Sequence, residues 1–182
     1  MTYLINENQY KLSKKSQTSK TLFFIIKFLV LSILMIFIIN KFVIFIAYIP
    51  SGSMNPTLIE GDNLIISKIY TKINRGDIIV FNHESNENML IKRVIGLPGD
   101  FIEIKKGKVY INNSLLEENY VKFPEDTNNI FKVPKDNYLF LGDNRKDSFD
   151  SRKWTYPYVC KKDIVGKAIF RFYPFNKIGF LK

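Results

Sequence analysis

Leu22 to Ile39 reads LFFIIKFLVLSILMIFII, and this stretch divides the chain. It is close to the roughly 20 apolar residues that a bilayer-spanning helix needs. Lys27 is its only charge and lies near one end, where a long stem can carry the amine to the headgroups. Asn40 and Lys41 mark the other end. A frame from Phe28 to Ile49 would put Lys41 well inside the membrane, at an insertion penalty of about 2.5–3.5 kcal/mol for a central lysine. Lys11, Lys14, Lys15 and Lys20 precede the segment, opposed only by Glu7. The positive-inside rule therefore keeps the N-terminus in the cytoplasm and sends everything after Lys41 to the outer face. A cleavable leader usually has a shorter apolar core, of about 7–15 residues, that starts nearer the N-terminus. The expected division is a basic tail over 1–20, a single transmembrane helix over 21–41 and an extracytoplasmic domain over 42–182.

Beyond the helix the pattern changes to short strands punctuated by turns. Phe42 to Ile49, FVIFIAYI, is too short to span again, and its β-branched and aromatic residues predict a strand. Further strands are expected at Leu64–Ile66, Ile69–Tyr70, Ile78–Phe81, Met89–Ile95, Tyr138–Leu141 and Ile164–Tyr173. Phe101–Ile104 and Val109–Ile111 flank Lys105-Lys106-Gly107 and predict a hairpin. Asn112 to Asp136 is polar, contains Pro124 and Pro134, and reads as a loop. The fold class is mainly β: an N-terminal transmembrane helix and a β-rich domain of folded-sheet or barrel-like form.

The composition narrows the function. A net charge of +10 suits an anionic partner, but the lysines are spread over the whole chain and read as a solvated basic surface. No zinc-type ligand cluster, phosphate-binding glycine loop or RNA-stacking signature stands out. The expected partners therefore include membrane lipid and exclude nucleic acid, and no metal or cofactor is expected. Cys160 is the only cysteine, so no intramolecular disulfide can form. In Tyr156-Pro157-Tyr158-Val159-Cys160 it reads as a small buried hydrophobe rather than a nucleophile.

Pro50-Ser51-Gly52-Ser53-Met54-Asn55-Pro56-Thr57-Leu58 follows the expected membrane exit by about ten residues. Ser53 among small and turn-forming residues can present its hydroxyl, but serine needs a base to become a nucleophile. The single histidine, His83, falls in the polar stretch His83–Asn88 and reads as a solvated loop residue, a poor place to hold a base within about 3 Å of a nucleophile. Lys92, between Met89-Leu90-Ile91 and Val94-Ile95, is the better candidate. An ordinary lysine, with a pKa near 10.4, stays protonated at neutral pH; burial disfavours the ammonium and lowers that value.

Four blocks together carry a resemblance. They are Pro-Ser-Gly-Ser-Met-Asn-Pro-Thr at 50–57, Arg-Gly-Asp-Ile-Ile-Val-Phe at 75–81, Ile-Lys-Arg-Val-Ile-Gly-Leu-Pro-Gly-Asp at 91–100 and Gly-Asp-Asn-Arg-Lys-Asp-Ser-Phe-Asp-Ser-Arg at 142–152. In this order they resemble the signature blocks of bacterial type I signal peptidases. The resemblance implies a membrane-anchored serine endopeptidase acting on preprotein signal peptides, with Ser53 as nucleophile and Lys92 as general base. It implies an oxyanion hole made by the Ser53 N–H and the Ser51 hydroxyl, and a Ser148 hydroxyl bonded to the Lys92 amine. Asp143, Arg93, Asp150 and Arg152 would form a supporting ion-pair shell. Ile49, Met54, Leu58, Leu90 and Ile91 would line shallow pockets for small substrate residues.

Two departures accompany the match. Lys146-Asp147 replaces the Asp-Asn usual before the serine at 148, which changes charge near the site, and the short 112–136 excursion leaves little room for the large extra domain that some members carry. The self-cleaving repressors share the serine–lysine pair but carry a DNA-binding N-terminus, where this chain has an apolar helix. A non-catalytic module that binds signal peptides is the other alternative, and the intact Ser53–Lys92–Ser148 set argues against it.

Overall fold

The computed structural model describes residues 2–83 and 86–181. It divides into two compact units, Met1–Phe42 and Val43–Lys182. The first is one helix, α1 (Thr2–Phe42), so the basic tail continues into the apolar segment without a break. Within it, Lys20–Phe42 is long and apolar enough to cross a membrane. Phe42 belongs to this helix, not to the following strand as its composition suggested, and β1 begins at Ile44.

The second unit is built from antiparallel strands. In chain order they are β1 (Ile44–Tyr48), β2 (Asn63–Ser67), β3 (Ile78–His83), β4 (Asn86–Gly96), β5 (Phe101–Lys105), β6 (Lys108–Ile111), β7 (Ser114–Leu115), β8 (Asn129–Lys132), β9 (Asn137–Leu141), β10 (Tyr158–Cys160), β11 (Ile164–Tyr173) and β12 (Gly179–Phe180). The larger sheet runs β1-β2-β11-β3-β4-β9-β10, with β12 beside β11; the smaller runs β7-β6-β5-β8. Ile69–Tyr70 forms no strand, and the stretch expected to be a loop over 112–136 contributes β7 and β8.

Short local signals explain much of this. Lys106 and Gly107 both have positive φ, as a two-residue hairpin turn between β5 and β6 requires. A register shift between Val94 and Gly96, opposite β9, disturbs the simple alternation of β4. Both faces of the β4–β9 pair are then covered. Val94, Tyr138 and Phe140 join Phe81 and Trp154 in one core cluster, while Ile95, Leu139 and Leu141 join Ile102, Val109 and Phe131 in another, shared with the small sheet. A third cluster, of Ile49, Met54, Leu58, Leu64, Ile66, Ile78, Val80 and Ala168, lies beneath the turn that carries Ser53.

β11 has a special place. Its first half pairs with β3 and its second with β2, so it joins the β1–β2 ribbon to the β3-β4-β9-β10 block. Gly166 permits this close approach, since a Cβ there would stand 2.6 Å from the Ser67 carbonyl oxygen.

Candidate active site

After β1 the chain turns through Ile49, whose N–H bonds the Asp62 carbonyl at 2.9 Å, into a single 3-10 turn over Gly52–Met54. Met54 and Leu58 are driven into the third core cluster, and that burial pins the turn from below. From the other side Asn144 clamps it: its backbone N–H donates to the Ser53 carbonyl at 3.1 Å and its Nδ2 to the Gly52 carbonyl at 3.1 Å. Asn144 lay within a quoted block, but nothing in the sequence assigned it this role.

Lys92 lies on β4, paired opposite Ile79 of β3 and only 4% exposed. Its Nζ donates to Ser53 Oγ at 2.6 Å, so the two residues singled out from sequence are in direct contact. Burial pushes the amine down from 10.5 to about 8, against the opposing pull of Asp150 and Asp143. A group titrating near 8 has about one-tenth of its molecules neutral at pH 7, enough to serve as a base.

The four residues expected to form a supporting shell are paired with one another. Arg93 grips Asp143 with two bonds, Nε to Oδ1 at 2.9 Å and Nη2 to Oδ2 at 2.7 Å, and Thr57 donates to the same carboxylate. Arg152 does the same to Asp150, with both contacts at 2.8 Å. Asp150 also accepts the Gly142 N–H at 3.0 Å. Such paired bonds fix direction as well as distance.

Ser148 departs from expectation. It is buried, but its Oγ has no hydrogen-bond partner, and the bond foreseen to Lys92 is not made. The Lys92 amine is engaged by Ser53 instead, and Ser148 is packed against Gly142, where an added Cβ would lie 2.2 Å from its Oγ. Ser51 is exposed and its side chain makes no capping bond. Lys146 and Asp147 both face solvent, and Asp147 closes a turn with Asn144, its Oδ2 accepting from Asn144 Nδ2 at 3.2 Å.

Of the residues expected to line substrate pockets, Ile49, Met54 and Leu58 are core residues, at most 2% exposed, that could form only a floor. Ile91 packs on that cluster, whereas Leu90 packs on the cluster containing Phe81 and Trp154.

His83 is not a loop residue. It ends β3 with its ring over Trp154, centroids 3.9 Å apart. It lies four residues beyond Ile79, the partner of Lys92, or about 13 Å along the strand. Residues 84 and 85 of the polar stretch lie outside the described residues. Cys160 is half-buried rather than buried, because β10 runs along the edge of the large sheet. It lines a recess of about 530 Å³ with His83, Tyr156 and Tyr158, and neither Ser53 nor Lys92 borders it.

Comparison with known proteins identifies the family. The family described as signal peptidase, peptidase S26, matches residues 22–173. The chain belongs to that family. A signal peptidase I of Leptolyngbya laminosa is 45% identical over 166 residues, covering 85% of this chain and 81% of the relative. A probable signal peptidase I-2 of Synechocystis is 39% identical, covering 92% and 81%. Signal peptidase I P of Bacillus subtilis subsp. natto is 38% identical, covering 86% and 92%. This S26 peptidase is thus a serine endopeptidase, a hydrolase.

Proposed function

We propose that this peptidase removes signal peptides from exported preproteins, using Ser53 and Lys92 as its catalytic pair. The observation that carries the reading is the 2.6 Å contact between Ser53 Oγ and a lysine amine buried enough to titrate near 8. Neutral Lys92 takes the Ser53 proton as Oγ attacks the scissile carbonyl carbon. The resulting oxyanion is held by the Ser53 N–H and the Ser51 hydroxyl, donors of a kind worth about 2.7–4 kcal/mol each in the transition state. The Lys92 ammonium then protonates the departing amine nitrogen as the peptide bond breaks, leaving an ester on Ser53. Lys92 next takes a proton from water, the hydroxide attacks the ester carbonyl, and the proton returns to Ser53 as the acid leaves. Asp143, Arg93, Asp150 and Arg152 hold the pair in place, while Ile91 and Leu90, with Ile49, Met54 and Leu58 beneath, shape the pockets for small residues.

The helix over 21–41, within the apolar stretch Lys20–Phe42, serves as a single membrane anchor, with residues 1–20 in the cytoplasm and 42–182 on the outer face. Its length and apolarity and the preceding lysines support this placement.

The test is cleavage of a purified preprotein by the full-length chain in detergent. Ser53→Ala and Lys92→Ala should each lower kcat by at least about 10³-fold with the domain still folded, because neither half works alone. His83→Ala should cleave at near-normal rate. An active Lys92→Ala beside an inactive His83→Ala would reassign the base.

A further inference from the structure

Residues 116–125 run outside both sheets, between β7 and β8. Leu116 and Tyr120 pack on the core cluster shared by the two sheets. The polar groups of this segment converge on three arginines. Glu118 accepts Arg145 Nη1 at 3.0 Å and Nη2 at 2.5 Å, and also the Tyr120 hydroxyl at 2.8 Å. The Tyr120 ring lies 4.1 Å from the Arg93 guanidinium carbon. Glu125 accepts Arg152 Nη1 at 2.8 Å.

Arg145 and Arg152 belong to the 142–152 loop and bond within it, and Arg93 reaches it from β4. Arg93 holds Asp143, Arg145 donates its Nε to the Gly142 carbonyl at 3.0 Å, and Arg152 holds Asp150. A main-chain bond from Lys146 to the Phe123 carbonyl at 3.2 Å adds a fourth link. The 142–152 loop is therefore held between this segment and the Ser53–Lys92 pair. Bidentate, buried contacts of this kind fix geometry closely, and the Arg145 and Glu118 side chains are only 3% and 9% exposed.

We propose that residues 116–125 form a positioning strap for the reaction, in which Glu118, Tyr120 and Glu125 grip Arg145, Arg93 and Arg152 and so press the Asp143–Arg152 loop onto the catalytic pair. The proposal rests on the reading of Ser53 and Lys92 as that pair. A misplacement of about 1 Å at a reacting centre can lower the rate about 10²-fold, so a loosened strap should be felt at Ser53 although no strap side chain touches it.

The charged and polar groups around the Lys92 amine give the test its sign. Ser53 faces it from the turn, Asp143 and Asp150 act on it from the loop, Arg93 and Arg152 neutralise those acids, and apolar Ile79 is its partner on β3. Replacing a strap carboxylate by an amide in an unchanged geometry removes negative charge, which can only lower the pH at which Lys92 titrates. A loop that lifts admits water, relieves the burial that lowers this pKa and raises that pH.

The experiment uses the full-length chain in detergent and the variants Glu118→Gln and Glu125→Gln. It measures kcat and KM against pH with one preprotein, and the rate of Lys92 acylation by an amine reagent against pH by mass spectrometry. The expected result is a fall in kcat of about tenfold with KM within twofold, and both titrations displaced upward by about half a pH unit. Unchanged profiles with only a lower melting temperature would make the segment structural and overturn the proposal. Profiles displaced downward at undiminished kcat would overturn it as well. Should Glu118→Gln fail to fold, Glu125→Gln decides alone, since Glu125 is partly solvated. The acylation arm needs no turnover. A parent chain whose Lys92 responds as expected to the strap variants but that cleaves nothing would condemn the catalytic reading and leave the strap standing.

Discussion

Burying an amine penalises the folded state, and Lys92 carries that penalty at every pH below its own titration. Its pKa is about 8 when folded and near 10.5 when ordinary, so between these values the unfolded chain binds more protons than the native one. Stability therefore rises with pH across that window and is lowest, as far as this group is concerned, below pH 8. Lys92→Met should abolish cleavage and stabilise the domain at pH 7 by about 1–3 kcal/mol, the lost bond to Ser53 offsetting part of the gain. Urea unfolding at pH 7 and pH 10 checks this, because the advantage of the variant must shrink at the higher pH. With Lys92 as the proposed base, the same titration should make kcat/KM of the parent enzyme rise through about pH 8, as the neutral amine forms. Gly142 sets a second constraint. A Cβ there would come within 2.5 Å of the Ser53 carbonyl oxygen as well as meeting Ser148. Gly142→Ala should lower kcat at least about 100-fold in a domain that still melts cooperatively, measured by preprotein cleavage and calorimetry.

At the scale of elements, strands with a strong apolar run and a clear turn were legible: β2, β3, β4, β9 and β11 lie where their residues placed them, and so does the β5–β6 hairpin. The two-residue β7 and β12 were not, because so few residues carry no period. The candidate site was legible as a set of residues that come into contact, as in Ser53 with Lys92 and the two aspartate–arginine pairs, because each lies within a quoted block. Glu118 and Glu125 were invisible, because an acid in a polar excursion reads as solvated until the fold sets an arginine against it. Cross-strand register also assembles a feature that no single segment announces. Ile46 pairs with Ile65, Ile65 with Phe170 and Phe170 with Phe180, which makes one row across four strands. Ile46 and Phe180 are 66% and 80% exposed at its two ends. Phe45, by contrast, packs on the core. A protein beginning at Phe42 should cleave a preprotein several-fold faster with lipid vesicles than without. Replacing Ile46 and Phe180 with serine should reduce that stimulation, whereas Phe45→Ser should lower the melting temperature. Equal rates with and without vesicles at matched substrate concentration would show that the helix only localises the enzyme.

For the whole molecule, the placement of the two units across a bilayer is open to direct measurement. In right-side-out vesicles, added protease should digest the chain beyond Lys41 and spare the first twenty residues; protection of the larger unit would reverse the orientation. The position of β11 carries a different consequence, one of timing. Ser53 lies in the connection between β1 and β2, Lys92 lies in the β3-β4-β9-β10 block, and the strand that joins the ribbon to the block is among the last to be synthesised. A nascent chain that already carries Ser53, Lys92 and the Asn144 clamp on the Ser53 turn still lacks the strand that joins the ribbon to the block. On the proposed pairing, full activity should wait until Tyr173 has emerged, which would spare the growing chain and its neighbours in transit from early cleavage. A chain ending at Asp163 should be proteolytically inert with both residues present, and a β11 peptide supplied separately should restore a measurable part of the cleavage.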